Sequence, residues 1–164
     1  MNPIKVLKRL DSKSVWHLMK LCLKYPLFVW PTLSATKRCM MISTREYGNQ
    51  HHKNGPANAF RHAFWNFLIA QWCYNWHKNE ETVLNWTEKI TDWHENAFPN
   101  RGLAKKMDLH NNNVGRFVFQ RMKNQAEKQV VEFLKEMTLA SQKVSTSSNF
   151  KNLDNTLVHI PEES

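Results

Sequence analysis

Residues 58–76 read NAFRHAFWNFLIAQWCYNW. Phe60, Phe64, Phe67, Leu68, Ile69, Trp72 and Trp76 fall on all sides of a 3.6-residue period, so a helix here keeps almost no face for water. Such a helix belongs at the centre of a bundle, with others packed around it. Its exceptions line up: Asn58, His62 and Asn66 recur at every fourth residue with Arg61 beside them, one narrow polar stripe. Two later segments carry stripes of the same kind. In EKITDWHENAF, residues 88–98, Glu88, Thr91, His94, Glu95 and Phe98 follow three- and four-residue spacing. In MDLHNNNVGR, residues 107–116, Asp108, Asn111, Asn112, Gly115 and Arg116 share one face. Buried polar groups cost several kcal/mol unless they are paired, so the three stripes are expected to face one another.

The third stripe is built from poor helix formers. One Asp, one His, three Asn and one Gly cost on the order of 3 to 4 kcal/mol relative to alanine, and packing, hydrogen bonds or a ligand must offset that. Gly115 lets another backbone or side chain approach closely.

At 164 residues, with seven Trp, nine Phe, seven Met and only four Gly, the chain suits one all-α domain. We expect a compact bundle of five or six helices around a central buried helix at about 55–77, with a loosely attached C-terminal tail. The helical domain spans 1–141, made of a motif core at 54–121 and a basic N-terminal arm at 1–53; residues 142–164 read as a Ser-rich flexible linker and a short extended tail. Asp11 or Ser12 caps a first helix to about Lys24, and Pro31 suits the first turn of a second that ends near Tyr47, where Gly48 supplies a left-handed residue. Asn54 with Pro56 opens the third, Asn79 with Glu80 and Glu81 opens a fourth that stops before Pro99, the fifth runs to about Met122, and Asn124 to Glu127 cap a sixth. TLVHI, residues 156–160, reads as a short strand whose partner the pattern does not identify.

Cys22, Cys39 and Cys73 form no CxxC pair and read as buried thiols in a reducing compartment. The start, MNPIKVLKRL, is basic, but Lys20, Lys24, Pro26 and Pro31 break the apolar stretch that follows. No signal peptide or spanning helix is expected, and the location implied is cytoplasmic or peripheral to a membrane. The net charge of +9 is concentrated: residues 1–53 hold ten Lys/Arg against Asp11 and Glu46. Such an arm meets anionic membrane, nucleic acid or an acidic partner, or is simply a solvated face.

For the polar stripes, two readings stand. In the first, His62, His94, Glu95 and Asp108 bind one divalent metal, zinc, manganese or iron, as side chains on facing helices of a bundle do. Asn58, Asn111 and Asn112 then orient ligands or contact substrate. Arg61 and Arg116, with Glu95, serve hydrolysis of an anionic, phosphoester-type substrate by metal-bound water. In the second, the module is non-enzymatic: Arg61 and Arg116 pair with Glu95 and Asp108 in a closed network that is structural or binds an anionic ligand or protein partner. No HExxH is present. His17, His51, His52, His77 and His159 read as ordinary, and His110 should point away from the Asp108 face.

The order His62, His94-Glu95, Asp108 resembles the ligand order of HD-domain phosphohydrolases. It departs from them in its His-Glu doublet and in the short interval from Glu95 to Asp108. GPANAFRHAFWN, DWHENAF and MDLHNNNVGR, in this order over about residues 54–121, more closely resemble a bacterial domain family of unknown function. Its members share an Ala-Phe-Arg-His-Ala segment, a His-Glu doublet and a Met-Asp-Leu-x-Asn-Asn-x-x-Gly-Arg block. The resemblance implies that Arg61, His62, His94, Glu95, Asp108, Asn111, Asn112, Gly115 and Arg116 are defining positions of a shared site, without naming its chemistry.

Overall fold

Asp11 starts the first helix, α1 (Ser12–Lys24), because its carboxylate accepts the otherwise unpaired N–H of Ser14 at 2.6 Å. The computed structural model describes residues 10–98, 102–153 and 155–161. Most of the basic MNPIKVLKRL start, the expected stop at Pro99 and the end of the tail lie outside these residues. The second helix, α2 (Pro26–Tyr47), begins five residues earlier than Pro31 suggests, since Pro26 takes the first helical position and Tyr25 alone separates it from α1. Pro31 therefore sits inside the helix. It ends at Gly48, whose φ of +55° is the positive value expected. A 3₁₀ turn, Gly48–His52, leads to α3 (Pro56–Trp76), and the side chain of Asn79 caps α4 (Glu80–Ala97) by accepting from Thr82 N–H at 2.8 Å.

The helix α5 (Leu103–Met122) carries the MDLHNNNVGR run without a break. Residue Ala126, not Asn124, precedes α6 (Glu127–Leu139); with no acceptor of its own, it instead donates its N–H to Gln129 Oε1 at 3.0 Å.

As the apolar period demands, α3 is the core: Phe60, Phe64, Phe67, Leu68 and Ile69 are fully buried, and α2, α4, α5 and α6 all pack on it. The closest approach is to α5. A Cβ built on Gly115 would lie 2.2 Å from Ala63 O, so only glycine lets these two backbones touch. Indole N–H groups tie the outer helices in place: Trp86 donates to Thr32 Oγ1 at 2.9 Å, Trp65 to Thr36 Oγ1 at 2.8 Å, and Trp93 to Ser14 O at 2.9 Å. Cys39 and Cys73 are buried free thiols, pushed up to about 12 by desolvation, whereas Cys22 is half-buried. Among the described residues no helix is long and apolar enough to cross a membrane.

The tail is docked rather than loosely attached. Val158–His159 pairs in parallel with Gln142–Lys143, the strand partner that TLVHI lacked in the sequence, and Leu157 and Val158 are fully buried. Ile160 N–H donates to Asn54 O at 3.0 Å, fixing the tail beside the entrance to α3. The Ser-rich composition of residues 145–148 holds only for the connection between these strands, where the serines bond one another.

Candidate functional site

The three polar stripes meet where α3, α4 and α5 face one another. His62, Asn66, Thr91, Glu95, Asp108 and Asn112 are all buried there, while Asn58 and Asn111, buried too, bond elsewhere. Asn112 is the hub. Its Oδ1 accepts from Asn66 Nδ2 at 2.7 Å and from His62 Nδ1 at 3.1 Å, and its Nδ2 donates to Glu95 Oε1 at 3.3 Å. That geometry places a proton on His62 Nδ1. Asn66 Oδ1 in turn accepts from Thr91 Oγ1 and from Arg116 Nη1, both at 3.2 Å.

His62 stands between two carboxylates. Glu95 Oε1 lies 3.6 Å from Nδ1, and Asp108 Oδ1 lies 3.2 Å from Nε2, where Arg61 Nη2 also approaches to 2.9 Å. Burial lowers the His62 pKa, and the Arg61 charge adds to that against the opposing pull of Asp108 and Glu95. The ring is therefore neutral near pH 7, with Arg61 donating to its Nε2 lone pair. Glu95 follows the opposite balance. Its burial raises the pKa, but the hydrogen bonds from His94 and Asn112 outweigh that and hold the carboxyl below its ordinary value.

Glu95 Oε1 also faces His94 Nδ1 at 3.3 Å. His94 differs from the rest of the centre in being 41% exposed along its side chain, where Glu95 is 2%. Its ring packs edge-on against Trp65 and tilted against Phe98, with centroids 5.1 and 5.2 Å away. Its Nε2 has no hydrogen-bond partner among the described residues. Trp65 was not anticipated as part of the site; its place one turn after Arg61 on the same helix was the available signal.

Several expected roles change. Glu95 and Asp108 address opposite nitrogens of the His62 ring, so His62, His94, Glu95 and Asp108 do not converge on one point. Among the described residues no three His, Cys, Asp or Glu side chains form a group able to hold a metal ion. Asn111 does not contact the centre: Nδ2 donates to Val158 O at 2.9 Å and Oδ1 accepts Val158 N–H at 3.0 Å, so its amide is consumed by the tail. Nor does Arg116 pair with Glu95 or Asp108. It donates to Asn66, to Glu88 at 3.4 Å and to Asn113 at 3.3 Å, at the outer end of the stripe. His110 does point away, donating to Thr156 O at 2.8 Å.

His51 is more than an ordinary loop histidine. It is fully buried, bonded through Nε2 to Thr44 Oγ1 at 3.0 Å, and desolvation with the neighbouring His52 and Arg61 charges lowers its pKa to about 4. Its Nδ1 and Asn58 Oδ1 are buried without a hydrogen-bond partner among the described residues.

The profile of a family described as a domain of unknown function, DUF6973, matches residues 19–142. No curated protein and no solved structure matches the chain.

Proposed function

We propose that this chain, which belongs to the DUF6973 family of domains of unknown function, hydrolyses anionic, phosphoester-type substrates. One observation carries the reading: the buried Glu95 carboxylate faces Nδ1 of the half-exposed His94. A carboxylate so placed fixes the Nδ1–H tautomer and leaves the Nε2 lone pair free for outside chemistry. In the proposed step, His94 Nε2 takes a proton from water as the water oxygen forms its bond to phosphorus. Glu95 stabilises the resulting imidazolium, and Nε2 returns the proton to the alkoxide that leaves as the old P–O bond breaks. Arg61, one turn from Trp65, supplies guanidinium N–H groups for the phosphoryl oxygens. Asn112, which donates to Glu95, and His62, whose Nδ1 lies 3.6 Å from it, hold the carboxylate in position.

In a metal-dependent version, a zinc, manganese or iron ion requires His62 and its carboxylate neighbours to rearrange so that Glu95 and Asp108 share one side of the ring. The second reading, a non-enzymatic module binding an anionic ligand or partner, is favoured by the saturation of Asn66, Thr91 and Asn112 with internal hydrogen bonds.

The test is hydrolysis of chromogenic aryl phosphomonoesters and phosphodiesters by the full chain, with and without chelator. We expect His94→Ala to lower kcat/KM by about a hundredfold or more, and Glu95→Gln to lower it as well. A wild-type rate equal to the buffer blank, or full activity in His94→Ala, refutes the hydrolase. Loss of activity in chelator that Mn²⁺ restores selects the metal-dependent version.

A further inference from the structure

We infer that the outer face of α1 and α2 is a docking surface for an anionic lipid bilayer. The two sides of α2 explain why. Phe28, Thr32, Ala35, Cys39 and Ile42 are buried against the core, as one face of an amphipathic helix should be. The opposite side, which ought to be polar, carries Leu27, Trp30, Leu33 and Met41 instead, with Trp30 68% exposed and Leu27 and Leu33 each 60%. Across the Tyr25 junction α1 continues the pattern with Trp16, Met19 and Leu23, the last 78% exposed. Singly exposed apolar residues are ordinary, but this many on two consecutive helices is more exposed apolar surface than a helix facing only water carries.

Charge selects the occupant. Between residues 12 and 45 there is no Asp or Glu, and Lys13, Lys20, Lys24 and Lys37 are all exposed along these helices. Lys20 and Lys24 lie over Trp16 and Tyr25, with Nζ 5.3 and 5.6 Å from the ring centroids, so cation and aromatic share one place as they do at a headgroup boundary. A largely apolar groove at the edge of the surface is bordered by Lys13, Trp16, His17, Lys20 and Asn96, again setting apolar surface beside lysine. Because no described helix can cross a bilayer, contact is confined to the interface. A nucleic acid fits less well: its interfaces are polar, and Leu23, Leu27 and Leu33 give phosphate oxygens nothing to bond. A second copy of the chain would set lysine against lysine across a two-fold axis. The surface includes no residue of the polar centre.

The test is co-sedimentation of the full chain with phosphatidylcholine vesicles, with and without phosphatidylglycerol. Binding to the mixed vesicles is expected to be at least about tenfold tighter, to weaken as salt is raised, and to fall about fivefold for each of Lys20→Gln and Lys24→Gln. Trp30→Glu and Leu27→Glu should each lower it at least about tenfold with melting temperature unchanged, as both side chains lie outside the core. If either glutamate variant fails to fold, Leu23→Ser carries the same expectation. Equal binding to both vesicles, no binding to either, or wild-type binding by the folded apolar-face variants overturns the inference. So does retention on duplex DNA without vesicle binding, or a solution dimer that Trp30→Glu separates.

Discussion

On one side of α5, His110 and Asn111 give their polar atoms to backbone, bonding Thr156 O and both peptide groups of Val158; on the other, Asp108, Asn112 and Arg116 meet side chains. Asn111 and Asn112 are adjacent, chemically identical and equally buried. A peptide group has one protonation state, so a bond to it fixes position only. Imidazole and carboxylate have two, so a bond to either also sets which state is favoured. The same amide is thus architecture at 111 and part of an electrostatic device at 112.

The substitution expected to disturb both sides at once is Gly115→Ala. Its Cβ would fall 2.2 Å from the Ala63 carbonyl oxygen, a backbone atom that cannot swing aside. We expect a loss of at least about 3 kcal/mol, read by calorimetry as a melting temperature lower by roughly 6 to 12 °C. An unchanged melting temperature means that α3 and α5 separate freely and that the two sides of α5 are not held by their contact. Next, Asn111→Ala and Asn112→Ala should each cost about 2 to 3 kcal/mol in urea unfolding, since both leave buried polar groups without partners. Only Asn112→Ala should alter the pH–rate profile of the proposed hydrolysis. If Asn111→Ala alters it equally, the division between the two sides fails.

The last expected effect is on acid stability. His51 has its folded pKa depressed to about 4, and His62 is shifted in the same direction. The unfolded chain therefore takes up protons below about pH 6.5 that the folded chain refuses, and stability is lost as pH falls from there toward 4. For His51 the loss is on the order of 3 kcal/mol across that window. Urea midpoints measured through it should fall less steeply for His51→Asn than for wild type; parallel slopes would dismiss the buried-neutral assignment.

The helices and the meeting of their stripes were legible because both depend on local rules. Asp11 and Asn79 carry cap acceptors, Gly48 adopts its positive φ, and an apolar helix at 56–76 leaves its neighbours little choice but to surround it. Gly115 was legible for the same reason: a glycine inside a helix invites a close neighbour. The start of α2 was misplaced because both Pro26 and Pro31 suit a first turn, and the choice between them depends on packing against α1. What no local pattern could supply was partner choice. Gln142–Lys143 and Val158–His159 are too short to announce a pairing, and an asparagine that clamps a distant peptide looks, in sequence, like one that lines a site. The metal reading failed to converge for a related reason: spacing brings His62, Glu95 and Asp108 together but does not say which edge of the imidazole each carboxylate meets.

The docked tail also imposes an order of events during synthesis. Leu157 and Val158 are made after all six described helices, yet they are wholly enclosed in the finished molecule, and among the described residues Asn111 gives its amide to Val158 alone. Until residues 157–160 are made, Asn111 and Asn54 lack the peptide groups that they bond in the native molecule. The bundle therefore reaches its native form only after α6 is complete, when residues 157–160 close against Asn111 and Asn54.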